Sequence, residues 1–108
     1  METLKKNNQF QRVYSQGATK VNSYLVIYWL ENNRQINRYG FSVSKKVGKA
    51  VVRNKIKRQL KEIIRRWLDP CLKQGFDIVI IARPYLRDLD FARMKKKLTE
   101  LFREADFF

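Results

Sequence analysis

The chain has 108 residues, of which 44% are hydrophobic and 13% aromatic, and this composition is typical of one folded domain rather than of a disordered chain. It carries 24 lysines and arginines against 10 acidic residues, a net charge of +14, and it has no histidine. The lack of histidine removes the commonest general base and metal ligand, while the charge predicts a polyanionic partner. We expect a single domain over residues 1–108, and the two candidate partners for such a charge are a nucleic acid and an anionic membrane.

The cysteine content and the hydropathy pattern indicate the cellular compartment of the protein. A single cysteine, Cys71, excludes an internal disulfide and a cysteine-based zinc site. Residues 1–9 lack the apolar core of a signal peptide, and no apolar run reaches the length of a membrane span. These features predict a cytoplasmic protein without a membrane span. We expect no contact with a membrane surface either, because the apolar stripe of the helix that could make it is needed for the core.

The first predicted element is a helix that begins at Asn8 or Gln9 and ends at Gly17. Its apolar residues recur at three- and four-residue spacing, which places them on one side: Phe10, Val13 and Tyr14.

Strands follow this helix. The segment Val21–Leu30 is rich in aromatic and β-branched residues and predicts a strand, while a further short strand near Thr19–Val21 is only weakly indicated. Both faces of the long strand are apolar, with Tyr24, Val26 and Tyr28 on one face and Leu25, Ile27 and Trp29 on the other. One of these faces therefore has a use other than contact with water. Residues 31–37 predict a hairpin-type loop, which leads into a second strand over 38–44.

The main helix is predicted from Ala50 to Leu68, after a basic loop at 45–49, and Asp69-Pro70 ends it. Its buried stripe is predicted to be Val52, Ile56, Leu60, Ile63 and Trp67. A parallel basic row lies beside that stripe: Arg53, Lys57, Lys61 and Arg65, with Arg58 just beyond it. Between Lys45 and Arg66 there are ten basic residues and one acid, whereas a merely solvated helix face mixes the two signs. This segment predicts nucleic-acid binding.

The remaining elements complete the fold prediction. Gly75 precedes a strand over Phe76–Ala82 that is apolar enough to lie inside a sheet, and Asp90 caps a last helix. The inward face of that helix is predicted to be Phe91, Met94, Leu98, Leu101 and Phe102. The order of elements predicts an α+β fold, a two-layer α/β sandwich around one mixed four-stranded sheet with one face at least partly open.

The stretch from Gly40 to Leu60, GFSVSKKVGKAVVRNKIKRQL, closely resembles the signature of the bacterial ribonuclease P protein subunit. The matching positions are Ser44, Lys45, Lys46, Gly48, Ala50, Arg53, Asn54, Lys55, Ile56, Lys57 and Arg58. The third letter of the family's RNR motif is a lysine here, which keeps the charge but lacks the forked donor of arginine. Two flanking stretches are also similar, FQRVY at 10–14 and DIVIIARP at 77–84.

The resemblance implies a ribonucleoprotein that removes the 5′ leader of precursor tRNA. In that family the RNA subunit carries out the hydrolysis with Mg²⁺, which is bound mainly by RNA, and the protein raises the affinity for the precursor. The implied partners are the catalytic RNA and precursor tRNA, with no protein partner required. The implied fold contains a left-handed βαβ crossover.

The resemblance also implies two groups of site residues. The residues expected to contact the RNA subunit are Lys45, Lys46, Arg53, Asn54, Lys57 and Arg58, and Lys61 joins them because it continues the basic row. Cations at these positions would neutralise phosphates and displace condensed counterions. Asn54 has a second interpretation, since its side chain would also suit a brace at the start of the helix.

The second group is an apolar cleft for the leader, formed by Phe10, Tyr14, Val26 and Tyr28. Aromatic faces stack on unpaired bases with little sequence preference, which suits a leader of variable sequence. The alternative is that these residues are ordinary core residues.

Two other function classes compete with this one. A general RNA-binding or ribosome-associated protein would share the charge but would not prefer precursor over mature tRNA. A protein nuclease acting alone would need a base or clustered acids, and the close pair Asp88 and Asp90 is assigned to a loop and a helix cap. We therefore predict no catalytic residue and no metal ligand in this chain, and we interpret Cys71 as structural or incidental.

Overall fold

The computed structural model describes all 108 residues, and their elements follow one another with short connections. The strands and α-helices are β1 (Glu2–Thr3), α1 (Asn7–Gln16), β2 (Ala18–Val21), β3 (Leu25–Glu31), β4 (Arg38–Ser42), α2 (Ala50–Ile63), β5 (Phe76–Ala82) and α3 (Phe91–Glu104). A π-helical turn, Ile64–Leu68, continues α2, and a 3₁₀ turn, Pro84–Asp88, precedes α3.

The strands form one mixed sheet in the order β1-β4-β5-β3-β2. Strands β4 and β5 are adjacent and parallel, and α2 connects them, while β3 runs antiparallel to both β5 and β2. The predicted α+β class and mixed sheet are confirmed, and so is the short strand before β3. The predicted number of four strands is wrong, because Glu2–Thr3 adds a fifth strand beside β4. Two residues are too few to show the alternation from which a strand is predicted.

The hairpin predicted at residues 31–37 is also wrong, since β5 lies between β3 and β4. The apolar run in β5 is buried on both faces, so this strand takes the central position. The loop instead closes over the start of β5 through two asparagines. Asn32 donates from Nδ2 to Asp77, and Oδ1 of Asn37 accepts from the backbone N–H of Phe76.

The predicted long strand Val21–Leu30 is divided by a turn at Asn22. Its Oδ1 accepts hydrogen bonds from the backbone N–H groups of Tyr24 and Leu25, each at 2.8 Å. An asparagine that binds the backbone in this way favours a turn over a continuous strand. Val21 consequently belongs to β2, where it pairs with Val26 of β3.

The two faces of the sheet carry different layers. One face packs on α2 and α3 and forms the main core, which includes Leu25, Ile27, Ile78 and Ile80 among its fully buried side chains. The other face carries a smaller cluster of buried residues: Leu4, Val13 and Val79. Helix α1 thus covers part of the second face and leaves the rest accessible.

The end of the main helix departs from the predicted stripe. Ile56, Leu60 and Ile63 are buried as expected, but Trp67 is only half-buried and Leu68 is buried in its place. The reason is the π-helical turn, which adds a residue to one turn and shifts the helix phase after Ile63.

A buried ion pair joins β4 to β5. The guanidinium of Arg38 donates to both oxygens of Asp77, from Nε at 2.8 Å and from Nη2 at 2.7 Å. The hydrogen bonds that Arg38 donates to Asp77 raise the pKa of Arg38 above its ordinary value. The acid of the DIVIIARP segment therefore has a structural role, because breaking such a buried pair is strongly destabilising.

Candidate nucleic-acid interface

The predicted cleft residues meet on the second face of the sheet. The ring centroids of Tyr14 and Tyr28 are 5.1 Å apart in an edge-to-face arrangement, and those of Phe10 and Tyr14 are 6.4 Å apart. Val26 lies two residues from Tyr28 on the same face of β3. All four side chains are half-buried, so each leaves part of its surface to solvent. The structure thus brings the four residues together on a shallow surface.

Helix α1 is seated across β3 and β5 rather than along an edge of the sheet. Val13 is fully buried in the same cluster as Val79 and fixes the helix on the sheet. The ring of Phe10 occupies the space above Gly40, where a Cβ atom would lie 2.6 Å from Cε1 and Cζ of that ring. Val13 therefore anchors α1, while Phe10 and Tyr14 border the accessible part of the face.

Two further apolar residues belong to this cleft. Ile81 and Val21 are both cross-strand partners of Val26, so the three side chains share one face. Ile81 is half-buried, and Val21 is 55% exposed at the edge strand. Strand alternation indicates which residues share a face of one strand, but it does not give the register that places Ile81 and Val21 beside Val26.

Tyr14 is a neutral group in this site. Burial raises the pKa of Tyr14 above its ordinary value of 10.0, and the interaction with the Ser42 hydroxyl only partly opposes this rise. The phenol therefore stays protonated at neutral pH, which keeps both its ring and its hydroxyl available to a base or a phosphate.

The predicted basic surface lies on α2 and on the loop that precedes it. We use this name for the residues predicted to contact the RNA subunit: Lys45, Lys46, Arg53, Asn54, Lys57, Arg58 and Lys61. None of its six cations forms an ion pair within the chain. Nε of Arg53 is buried and has no hydrogen-bond partner, which leaves a costly unpaired donor in the unbound protein.

At the end of the same helix, the cations do form ion pairs within the chain. Arg65 and Arg66 both bind Glu62, at 2.8 Å and 3.4 Å, and the hydrogen bond from Arg65 contributes most to lowering the pKa of Glu62. Arg65 thus belongs to the predicted row by spacing but has an internal counter-charge. The free cations of the row are Arg53, Lys57 and Lys61.

Asn54 is exposed, and its side chain makes no hydrogen bond within the chain. Lys49 is the residue at the helix N-cap, and it makes no side-chain capping bond. The structure therefore gives no support to a capping or bracing role for Asn54.

The cleft and the basic surface meet at the edge of β4. A groove of about 310 Å³ is lined by Phe10 on one side and by Lys57 and Lys61 on the other. Its floor includes Phe41, and Nζ of Lys61 lies 5.9 Å from the centroid of that ring. The sequence does not indicate this connection, because only the tertiary fold shows that α1 and α2 flank the same strand.

No group of three or more His, Cys, Asp or Glu side chains is arranged to hold a metal ion. Asp90 accepts a hydrogen bond from the backbone N–H of Arg93, which confirms its role as a helix cap. Cys71 is exposed and unpaired. No helix is long and apolar enough to cross a membrane.

A family model described as Ribonuclease P matches residues 1–106 of the chain. The chain belongs to the ribonuclease P protein family. The ribonuclease P protein component of Caldanaerobacter subterraneus subsp. tengcongensis is 44% identical to it over 105 residues, which is 97% of this chain and 90% of the relative.

Solved structures of ribonuclease P proteins have the same fold. The protein from Staphylococcus aureus aligns over 100% of this chain and 98% of its own, with a TM-score of 0.92 and 35% identity. The protein from Thermotoga maritima aligns over 96% of this chain and 97% of its own, with a TM-score of 0.87 and 34% identity. The resemblance found in the segment Gly40–Leu60 is confirmed. As a ribonuclease P protein component, the chain is part of an endonuclease that matures the 5′ ends of tRNA.

Proposed function

We propose that this chain is the non-catalytic subunit of ribonuclease P, with its basic surface on the catalytic RNA and its apolar cleft on the 5′ leader of precursor tRNA. The proposal rests most on one observation: the cations of the basic surface have no internal ion pairs. A net charge of +14 destabilises the folded chain by self-repulsion. RNA phosphates would supply the counter-charges that the chain itself does not provide.

The cleft supports the second part of the proposal. Its aromatic side chains are half-buried on the accessible part of the sheet, beside a groove that leads to Lys57 and Lys61. A single strand lying there would place bases on Tyr14 and Tyr28 and its phosphates near the lysines. This arrangement would favour leader-bearing tRNA over the mature product.

We assign the hydrolysis to the RNA subunit, with Mg²⁺ held mainly by RNA. The chain has no histidine and no cluster of three potential ligands, so its residues do not fit a protein-held metal centre. Binding and orientation of the leader are then the contribution of the protein. The complex acts in the cytoplasm, and the chain requires no protein partner.

The test is reconstitution with a bacterial ribonuclease P RNA at a low Mg²⁺ concentration, where the RNA alone is slow. Adding the chain should restore cleavage of precursor tRNA at the leader junction, as measured by gel electrophoresis of end-labelled substrate. The chain without RNA should release no leader. Cleavage by the purified chain alone, or no stimulation of the RNA, would contradict the proposal.

A further inference from the structure

A second groove lies on the other side of α2, away from the cleft. It has a volume of about 530 Å³ and lies between the first half of α2 and the segment that joins β5 to α3. Its apolar lining consists of Val51, Val52, Ile56, Leu86, Leu89, Phe91 and Met94. We call it the side groove. Neither the proposed leader site nor the basic surface uses it.

The rim of the side groove carries charge and hydrogen-bonding groups. Lys55 and Arg87 line it. Lys55 forms no ion pair, whereas Nε of Arg87 lies 4.0 Å from a carboxylate oxygen of Asp88. Arg87 is held in place because its Nη1 donates to the backbone oxygen of Val47 at 3.0 Å. Gln59 of α2 and Asp90 at the start of α3 add an amide and a carboxylate to the lining. The rim therefore combines two cations with groups that suit the edge of a nucleobase.

One apolar side chain of the groove is unusually accessible. Val51, in the first turn of α2, is 80% exposed, whereas its neighbour Val52 is half-buried. Asn54 and Arg58 of the basic surface stand three and seven residues further along α2, on the same side of the helix as Val51. An RNA strand bound to that surface would therefore lie close to the entrance of the groove.

We propose that the side groove holds one unpaired nucleotide of the catalytic RNA, with the base on the apolar floor and its phosphate between Lys55 and Arg87. This proposal rests on the proposed function, since it takes the RNA on the basic surface as given. The charge of +14 disfavours a second copy of the chain as the occupant. The continuity of the rim with the basic surface favours the RNA that is bound there.

The first test compares two substitutions that add the same negative charge. Val51→Asp places a carboxylate at the groove, and Gln35→Asp places one at an exposed position in the connection between β3 and β4. Both positions are exposed, so both variants should fold. We expect Val51→Asp to weaken binding to ribonuclease P RNA at least tenfold more than Gln35→Asp, as measured by filter binding at fixed salt.

The second test locates the RNA directly. In a Cys71→Ser background, Val51→Cys or Gln35→Cys is labelled with a short photoreactive group and bound to the RNA. The proposal predicts a crosslink from position 51 to an unpaired nucleotide and none from position 35. Equal losses of affinity for the two aspartate variants, no crosslink above the control, or a crosslink to protein would overturn it. If the Cys71→Ser parent does not bind the RNA at all, the proposed function itself fails, and this proposal fails with it.

Discussion

Gly40 illustrates how the absence of one side chain shapes the proposed leader site. The ring of Phe10 lies directly over its Cα, where a Cβ would come within 2.6 Å of two ring carbons and within 3.3 Å of Cδ1 of Leu4. Phe10 can border the cleft because β4 presents a bare backbone there. A glycine in the middle of a strand is unfavourable by itself, and this close approach explains its presence.

The close approach leads to a prediction for Gly40→Ala. The added methyl group must displace Phe10 or shift α1, at a cost of about 1–3 kcal/mol in the free energy of unfolding. Urea denaturation of the purified chain measures this loss.

The control is a double-mutant cycle with Phe10→Ala, which removes the ring that the methyl group meets. We expect Gly40→Ala to cost much less in the Phe10→Ala background than in the native sequence. Costs that simply add would contradict the contact.

In the basic surface, Arg53 has an unsatisfied hydrogen-bond donor. Its Nε is buried and has no hydrogen-bond partner, although protein structures pair nearly all such groups. The folded chain therefore carries the cost of one unpaired buried donor at this position.

At the scale of elements, α2 separates two grooves. Lys57 and Lys61 line the groove beside β4, whereas Lys55 and Gln59 line the side groove. Successive residues of a helix point about 100° apart, so α2 presents basic side chains to both grooves. Its apolar stripe holds it on the sheet, and the free cations on either side remain available to RNA.

The basic surface predicts a strong dependence of RNA binding on salt. If about five phosphates are neutralised, the affinity for ribonuclease P RNA should fall roughly 10²–10³-fold between about 50 and 200 mM monovalent salt. Replacing Lys57 or Lys61 by glutamine should lower the slope of log K against log salt by about 1.

The matched control is Lys96→Gln, because Lys96 is an exposed cation on α3 without an ion pair. This variant should leave the slope unchanged. A flat response of the native chain to salt would count against the assignment, as would an equal change of slope in the Lys96→Gln variant.

Some elements are readable from the sequence because their signals are local. The periodicity of α2, the apolar run of β5 and the cap at Asp90 each depend on residues within one element, and the structure confirms all three. Trp67 was misplaced because a π-helical turn depends on packing at the helix end rather than on the hydrophobic period. The hairpin was mispredicted for a similar reason, since the choice of strand neighbours is a long-range property.

The same distinction applies to the site. The resemblance indicated the aromatic residues of the cleft and the cations of α2, and the structure places them on two adjoining surfaces. It also adds Ile81 and Val21, whose place beside Val26 depends on pairing between strands that are distant in the chain. The groove that joins the two surfaces depends on α1 and α2 meeting at β4, for which one sequence contains no signal.

For the whole molecule, the proposed function gives the basic surface and the apolar cleft different roles. In the proposed function, the net charge of +14 would draw the chain to RNA in general, and the basic surface would hold it on the catalytic RNA. The apolar cleft would then act only on a tRNA that carries a leader. Charge alone would raise the affinity for precursor and mature tRNA together, so the proposal assigns selectivity to the cleft.

The most direct test is the affinity of the reconstituted enzyme for precursor and mature tRNA, measured for the native chain, Tyr28→Ala and Tyr28→Phe. Tyr28→Ala should weaken precursor binding about 5- to 150-fold, the equivalent of about 1–3 kcal/mol for one lost stacking contact, and leave mature tRNA unchanged. Tyr28→Phe keeps the ring and should resemble the native chain. Equal losses for precursor and mature tRNA would contradict the account, because they would place Tyr28 in the core rather than in a leader site.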